Sequence, residues 1–239
     1  MSLKRKKRSN YSTIEVNMMK AVQLNNMQIE IPDGFIVFIS GVPGVGKTTI
    51  SYELLKKVNA FRIIEETDLI REVLLGYNSY LEQEFPNQSR DIINQITITD
   101  HTKLLSLEEA KMQCKFMLSS FECIISRQKR KGIPSIINGV HIIPETLNGL
   151  VENHNVIYIN LYINSEQALY TRLLNRNPKS YMINHVPFIF QTNKDLYNST
   201  EKLSKEFPYL FNNIDITELS IDETIFEIMQ LIKRLLSKD

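Results

Sequence analysis

Residues 41–48 carry the pattern that most constrains this chain, Gly-Val-Pro-Gly-Val-Gly-Lys-Thr. It has the form Gly-x-x-x-x-Gly-Lys-Ser/Thr, in which glycines let successive backbone N–H groups curl around a phosphate without Cβ clashes. An apolar, β-branched run precedes it at residues 35–40, and helically spaced apolar residues follow it at Ile50, Leu54 and Val58. A strand, a glycine-rich loop and a helix N-terminus in this order predict a phosphate-binding loop.

The loop suggests roles for its individual residues. The Lys47 side chain would reach the outer phosphates and take part in catalysis, while the Thr48 hydroxyl would bind a magnesium ion. The partial positive charge of the helix N-terminus favours the same phosphates. We therefore expect a nucleoside triphosphate to be bound by Gly41, Gly44, Val45, Gly46, Lys47, Thr48 and Thr49.

Length and charge narrow the classes of protein to consider. A chain of 239 residues fits one α/β domain, and its net charge of +1 gives no overall attraction to nucleic acid or to membranes. We recognise no signal peptide and no apolar stretch long enough to span a bilayer, so we expect a cytoplasmic protein without a membrane partner. Nucleic acid would be contacted only through the basic run at residues 4–8, for which we favour a solvated terminus because no aromatic residue interrupts it.

Apolar runs and helical patterns alternate along the chain. We predict strands at residues 35–40, 61–67, 134–138, 155–163 and 213–217. Helices are predicted between them, the longest opening with a capping box at residues 106–109 and ending at Gly132. Alternation of this kind predicts a five-stranded parallel sheet with helices on both faces, a P-loop NTPase fold of the nucleotide- or nucleoside-kinase type.

The same sequence patterns predict the domain organisation. Residues 1–27 are predicted to be a basic tail and a short helical or irregular lead-in, and residues 28–239 a single domain. Residues 28–31 would form a short hairpin with the first core strand, and a helix after the second strand would stop at Gly76. We further expect an insertion at about residues 77–105 to cover the substrate, with a plain surface loop as the alternative, and a lid at about residues 172–195.

Two residues after the second strand are candidates for the phosphoryl acceptor site. Ligands gather at the carboxyl ends of parallel strands, which would place Asp68 beside the phosphate loop. Its carboxylate would take the proton of an acceptor hydroxyl or hold magnesium through water, although a simple helix cap is the alternative. Arg71 lies on the same helical face and would bind an anionic substrate.

Asn138, Gly139 and His141 follow the third strand and are assigned to the same substrate site. Many phosphate-loop proteins carry an acidic residue at the end of this strand to organise magnesium, but here the position is Asn138, which cannot act as a base. Gly139 would allow a ligand to approach closely. His141 would donate to a substrate phosphate or, equally, bond a backbone carbonyl.

Cations after the fourth strand would serve the lid. Arg172 and Arg176 lie one turn apart, with Lys179 close behind, and Arg172 is the predicted catalytic cation that neutralises charge on the transferred group. The alternative is a solvated helix face. A guanine-reading motif at Asn193-Lys-Asp195 is rejected because Asp195 falls one position early and no clear strand precedes it.

Three segments together resemble the 2-phosphoglycerate kinase family: residues 41–48, residues 67–74 with Thr-Asp-Leu-Ile-Arg-Glu-Val-Leu, and residues 137–144 with Ile-Asn-Gly-Val-His-Ile-Ile-Pro. The resemblance implies an ATP- and Mg²⁺-dependent kinase that phosphorylates a hydroxyl of a small, anionic metabolite similar to 2-phosphoglycerate. This chain departs from the family pattern at Asn138, where the family has Glu.

Two other functions stay open from the sequence. A nucleoside, nucleotide or polynucleotide-end kinase would use the basic tail to guide a polymeric acid, and it would need a continuous basic groove reaching Asp68. A non-catalytic NTP-dependent switch would have an Asp68 that is buried and already saturated by backbone donors. A cleft sized for a metabolite favours the small-molecule kinase.

Overall fold

The structure, a computed structural model, describes residues 29–84, 104–152 and 155–237. The basic run at residues 4–8 and the rest of the predicted lead-in lie outside the described residues, as does most of the predicted insertion at residues 77–105.

The described residues form one five-stranded sheet in which every pairing is parallel. The strands are β1 Ile36–Ser40, β2 Ile63–Glu66, β3 Ser135–Asn138, β4 Val156–Tyr162 and β5 Phe211–Asp215. Their spatial order is β2, β3, β1, β4 and β5, so the first strand of the chain lies at the centre. Parallel neighbours require crossover connections, which helices provide.

Seven α-helices lie within the described residues, and serine side chains cap three of them. Ser106, Ser165 and Ser220 each accept a hydrogen bond from the backbone N–H three residues later, as expected of N-caps. The helices are α1 Lys47–Lys57, α2 Thr67–Glu84, α3 Leu107–Lys131, α4 Pro144–Glu152, α5 Glu166–Arg176, α6 Val186–Glu206 and α7 Ile221–Leu236.

Helices cover both faces of the sheet, as the alternation of β1 shows. Val37 and Ile39 belong to a core cluster that includes apolar residues of α1 and α7. Ile36 and Phe38 belong to a second cluster, with residues of α3 and α4. A parallel sheet buried on both faces, with a glycine loop between β1 and α1, is the P-loop NTPase architecture predicted from the sequence.

Two local predictions were wrong. The helix after β2 continues through Gly76 to Glu84, because one glycine inside a helix costs only about 1 kcal/mol relative to alanine and does not end it. No strand forms at residues 29–31, so the hairpin is absent from the described residues, and Gln28 lies outside them. Ile29 and Ile31 pack instead against the α1 side of the core.

The predicted turn before β1 is present, since the backbone N–H of Phe35 donates to the carbonyl of Pro32 at 3.1 Å. The last strand, β5, begins and ends two residues earlier than predicted. It stops where Asp215 turns back to accept the backbone N–H of Thr217. Among the described residues, no helix is both long and apolar enough to cross a bilayer.

Candidate active site

A cavity of about 610 Å³ opens where the carboxyl ends of the strands meet the glycine loop. Ligands of parallel α/β proteins bind at this edge of the sheet. One wall is the loop itself, another comes from the ends of β2 and β3, and α3, α5 and α6 close the remainder. The polar or charged side chains in its lining are Lys47, Thr48, Thr49, Glu66, Asp68, Arg71, Asn138, Arg172, Arg176, Tyr181 and Thr192.

The loop conformation depends on glycine. Gly44 has φ +89°, and a Cβ there would lie 2.7 Å from Cδ2 of Leu173, so a larger residue would be both strained and crowded. Gly41 and Gly46 also have positive φ and, like Gly44, line the cavity. Val45 does not line it: its side chain is buried in the core, which leaves only its backbone for a ligand.

Lys47 stands at the start of α1, 9% exposed, with its Nζ donating to the carbonyl oxygen of Val42 at 2.9 Å. Burial lowers the pKa of Lys47 to about 8, opposed by the charge of Asp68 and reinforced by that of Arg176. The lysine is therefore held inside the curl of the loop. Thr48 and Thr49 follow it on the exposed side of the helix start and line the same cavity.

Asp68 and Arg71 lie one helical turn apart at the start of α2, and both line the cavity. The Asp68 side chain is 65% exposed, so its carboxylate is open to a ligand. The Arg71 side chain is 18% exposed and contacts Oε1 of Glu72 through Nη2 at 3.0 Å. Its buried Nε has no acceptor among the described residues.

His141 lies behind these residues and does not line the cavity. It is fully buried, with Nδ1 at 3.1 Å from Oγ1 of Thr67 and 3.5 Å from Oδ1 of Asp68. Burial lowers the pKa of His141 to about 4; Asp68 raises it, while Arg71 and Lys47 lower it further. The imidazole is neutral at pH 7 and contacts the backs of Thr67 and Asp68, so a direct bond to a substrate phosphate is not the contact that this placement favours.

Asn138 and Gly139 form the wall between β2 and β1. Asn138 is 3% exposed, yet its side chain lines the cavity and its Nδ2 has no hydrogen-bond partner among the described residues. Gly139 is required for close packing, since a Cβ there would lie 1.7 Å from Oγ1 of Thr67. The turn after β3 can therefore approach the start of α2 only with glycine at this position.

Glu66, the last residue of β2, also lines the cavity and was not among the predicted site residues. Its Cα is paired in register with that of Asn138. The preceding residue, Glu65, points to the other side of the strand, where its Oε1 accepts from Nε2 of Gln128 at 3.4 Å. Successive side chains of a strand point to opposite faces of the sheet, so only one of the two adjacent glutamates can face the cavity. This alternation was the signal in the sequence that could have separated Glu66 from Glu65.

The cations of the predicted lid differ in what they contact. Arg172 lines the cavity, and its Nη2 donates to the carbonyl oxygens of Ile216 and Thr217, at 2.5 and 3.4 Å. Its pKa is lowered by burial. Arg176, at the end of α5, lines the cavity close enough to Lys47 to lower the pKa of that lysine. Lys179 does not line the cavity.

Asn193 has a structural contact that fits the rejection of the guanine motif. It lies inside α6, where its Nδ2 donates to the carbonyl of Ile163 at 2.7 Å and its Oδ1 accepts the Ile163 N–H at 3.3 Å. Both backbone groups just beyond β4 are satisfied by this one amide.

Within the described residues there is no group of three or more His, Cys, Asp or Glu side chains able to hold a metal ion. Mg²⁺ does not need such a group, because it usually binds proteins through one or two protein oxygens, substrate phosphates and water. Thr48, which is exposed, Glu66 and Asp68 are among the oxygen-bearing residues that line the cavity.

Sequence comparison finds relatives that share one name, although no protein-family profile matches the chain. Proteins named 2-phosphoglycerate kinase are 26% identical in Methanococcus maripaludis, 27% in Pyrococcus horikoshii and 26% in Methanocaldococcus jannaschii. The matches cover 82%, 82% and 84% of this chain, but only 64%, 63% and 65% of those proteins. The chain therefore spans slightly less than two thirds of the length of these relatives.

Solved structures of similar shape include a gluconokinase from Sinorhizobium meliloti, at 14% identity, covering 87% of this chain and 97% of that chain with a TM-score of 0.48. Another is shikimate kinase from Acinetobacter baumannii in complex with shikimate, at 14% identity, 85% and 94% coverage and a TM-score of 0.45. The family resemblance predicted from three sequence segments is confirmed by the sequence relatives: over most of its length, this chain is similar to proteins named 2-phosphoglycerate kinase.

Proposed function

We propose that this protein is an ATP- and Mg²⁺-dependent kinase that transfers the γ-phosphoryl group to a hydroxyl of a small, anionic metabolite similar to 2-phosphoglycerate. The observation that carries the proposal is the exposed Asp68 carboxylate, which shares one cavity with Lys47 and Thr48 of the phosphate loop. The name of the sequence relatives supports the acceptor class.

The size of the cavity supports a small acceptor. A volume of about 610 Å³ lies within the roughly 300–1,000 Å³ of ordinary small-molecule sites. Arg71 supplies a cation on the same helical face as Asp68, where it would bind a phosphate or carboxylate of the acceptor. The acceptor hydroxyl would then lie between the Asp68 carboxylate and the phosphate loop, as in-line transfer requires.

In this mechanism Asp68 accepts the proton of the attacking hydroxyl as a new oxygen–phosphorus bond forms, and the bond to the β-phosphate oxygen breaks to release ADP. Lys47 and Arg176, which both line the cavity, would neutralise charge on the phosphate oxygens. Magnesium, when bound, would neutralise the β- and γ-phosphates, with the Thr48 hydroxyl among its ligands. Arg172, whose guanidinium is bonded to two carbonyls beyond β5, would shape the nucleotide side of the cavity.

The two alternatives receive less support. A non-catalytic switch would have a buried, saturated Asp68, whereas this side chain is 65% exposed. A nucleoside, nucleotide or polynucleotide-end kinase remains the second candidate because several arginines line the cavity. The basic tail at residues 4–8 that would guide a polymer lies outside the described residues.

A phosphoryl-transfer screen tests the proposal. The purified protein is incubated with ATP and Mg²⁺ and with small phosphorylated and carboxylated hydroxy acids, nucleosides, nucleotides or oligonucleotides. We expect transfer to a small acid, lost in Lys47→Ala because such a transition-state contact is worth about 3 kcal/mol or more. Lys57→Ala, at the far end of α1 and paired with Asp222, is the matched control and should keep full activity. Transfer only to nucleosides, nucleotides or oligonucleotides would favour the second candidate.

A further inference from the structure

Asn138 occupies the place where the resembled family carries a glutamate, yet the cavity contains a glutamate one strand away. Glu66 ends β2, Asn138 ends β3, and their Cα atoms are paired in register. Ile39 of β1 is paired with Asn138 on its other side. The three residues therefore form one row across the end of the sheet, beside the phosphate loop.

The side chains of this row point to the same face of the sheet. Ile39 belongs to the core cluster on the α1 side, as does Ile136, two residues before Asn138 in β3. Ile64, two residues before Glu66, packs against that cluster too. Because residues two apart in a strand share a face, Asn138 and Glu66 both lie on the side of the sheet from which α1 and the loop arise.

Asn138 and Glu66 carry complementary polar groups, an amide donor and a carboxylate acceptor. Asn138 presents a buried Nδ2 donor that no described residue accepts, and it lines the cavity. An amide N–H directed at phosphate oxygens is favourable, whereas a carboxylate there would repel them. Glu66 lines the cavity, and no described residue forms an ion pair with its carboxylate.

The Glu66 carboxylate must also be able to reach a metal ion bound at the phosphate loop. Neighbouring strands lie about 4.8 Å apart, so moving the carboxylate from β3 to β2 takes it one strand farther from the loop. Glu66 is as long as the glutamate that the resembled family carries at the Asn138 position, so its side chain alone does not make up this distance. Magnesium usually keeps several water ligands in proteins, and a bridging water between Glu66 and the metal spans the gap.

We propose that in this chain Glu66 is the carboxylate that positions the water ligands of the nucleotide-bound magnesium, and that Asn138 serves as a hydrogen-bond donor to the phosphates. The two positions have thus exchanged functions relative to a site with an acid at the end of β3. This inference rests on the proposed nucleotide-binding function and deepens it.

The test is the magnesium dependence of nucleotide binding, measured by calorimetry with ATP in the presence of Mg²⁺ and in the presence of EDTA. The readout is the ratio of the two dissociation constants, which needs no acceptor and no turnover. In Glu66→Gln we expect the preference for the magnesium complex to fall about tenfold or more, because the metal loses a carboxylate and free ATP loses a repulsive charge. Glu65→Gln, one residue earlier and bonded to Gln128, is the matched control and should keep the wild-type ratio.

A charge swap separates metal positioning from a structural effect. Asn138→Asp should weaken binding of free ATP about tenfold or more, and the double variant E66Q/N138D should regain a magnesium preference that E66Q has lost. Thermal unfolding of each variant checks that the fold persists. A wild-type ratio in E66Q, or an equal loss of affinity with and without Mg²⁺, would overturn the inference. Failure of the wild-type protein to bind ATP at all would overturn the proposed function itself.

Discussion

The Oδ1 atom of Asp68 lies 3.5 Å from Nδ1 of His141, and the two side chains differ completely in exposure, 65% for the aspartate and 0% for the histidine. Because burial lowers the pKa of His141 to about 4, the imidazole beside the carboxylate is neutral at physiological pH. It therefore contacts Thr67 and Asp68 without neutralising the Asp68 carboxylate.

This pKa predicts how stability varies with pH. The unfolded chain binds a proton at His141 as pH falls below 6.5, whereas the folded chain does so only near 4. The contribution of His141 to stability is therefore complete above pH 6.5 and is lost between about 6.5 and 4. Urea unfolding of His141→Gln should show a flatter pH slope there than wild type, by up to about 1.4 kcal/mol per pH unit. Equal slopes, or a His141 NMR resonance that titrates near 6.5 in the wild-type protein, would contradict this prediction.

Lys47 predicts a second pH effect, on nucleotide affinity. Its pKa of about 8 means that the ammonium loses its proton just above neutral pH in the free protein. Phosphates favour the protonated form, so binding above pH 8 must include proton uptake. We expect ATP affinity to fall by up to about tenfold per pH unit above 8. Binding measured from pH 6.5 to 9.5 checks this, and Lys47→Ala should bind weakly with no such fall. A wild-type affinity that is constant up to pH 9.5 would contradict the lowered pKa.

The sequence predicted best where local chemistry decides the structure. The loop, the capped start of α3 and the parallel sheet follow from glycine placement, Ser106 with Glu109, and apolar alternation, all of which are readable over a few residues. Asp68, Arg71 and Asn138 could be assigned to the edge of the sheet where the cavity lies, because the carboxyl ends of parallel strands meet there.

What the sequence missed depends on contacts between distant segments. Glu66 and Asn138 are adjacent only because β2 and β3 pair in a particular register, which no local pattern specifies. The extent of α2 was misjudged because one glycine costs a helix only about 1 kcal/mol, which is too little to end it at Gly76. The sequence left a substrate contact and a structural role open for His141, because its burial behind Thr67 depends on the close approach at Gly139.

Two glycines should respond oppositely to alanine. In Gly139→Ala the new Cβ would lie 1.7 Å from Oγ1 of Thr67, so the turn or α2 must shift, at a cost of about 1–3 kcal/mol. Gly76 lies inside α2, where an added Cβ would meet no described atom within 4 Å, so Gly76→Ala should stabilise the helix by up to about 1 kcal/mol. Urea unfolding of both variants at pH 7 tests the pair. A neutral Gly139→Ala would mean that Thr67 can move without cost.

Variants of Asp68 and Arg71 test catalysis and acceptor binding separately. Asp68→Asn keeps the shape and much of the capping ability of the side chain but removes the charge that we propose accepts the proton. We expect turnover to fall about a hundredfold or more while ATP affinity changes little. Arg71→Ala removes a cavity cation one turn away, and it should raise the KM for an anionic acceptor more than it lowers kcat.

The measurements are ATP affinity, kcat and the acceptor KM for both variants, once the transfer screen has identified an acceptor. Asp222→Asn, the same chemical change on α7 outside the cavity lining, is the matched control and should leave all three unchanged. Because the Asp68 carboxylate is exposed, its loss opens no core cavity, and a drop in turnover would report chemistry and not folding. Full turnover in Asp68→Asn would remove the proposed base, and the non-catalytic switch would then become the better account of any remaining nucleotide binding.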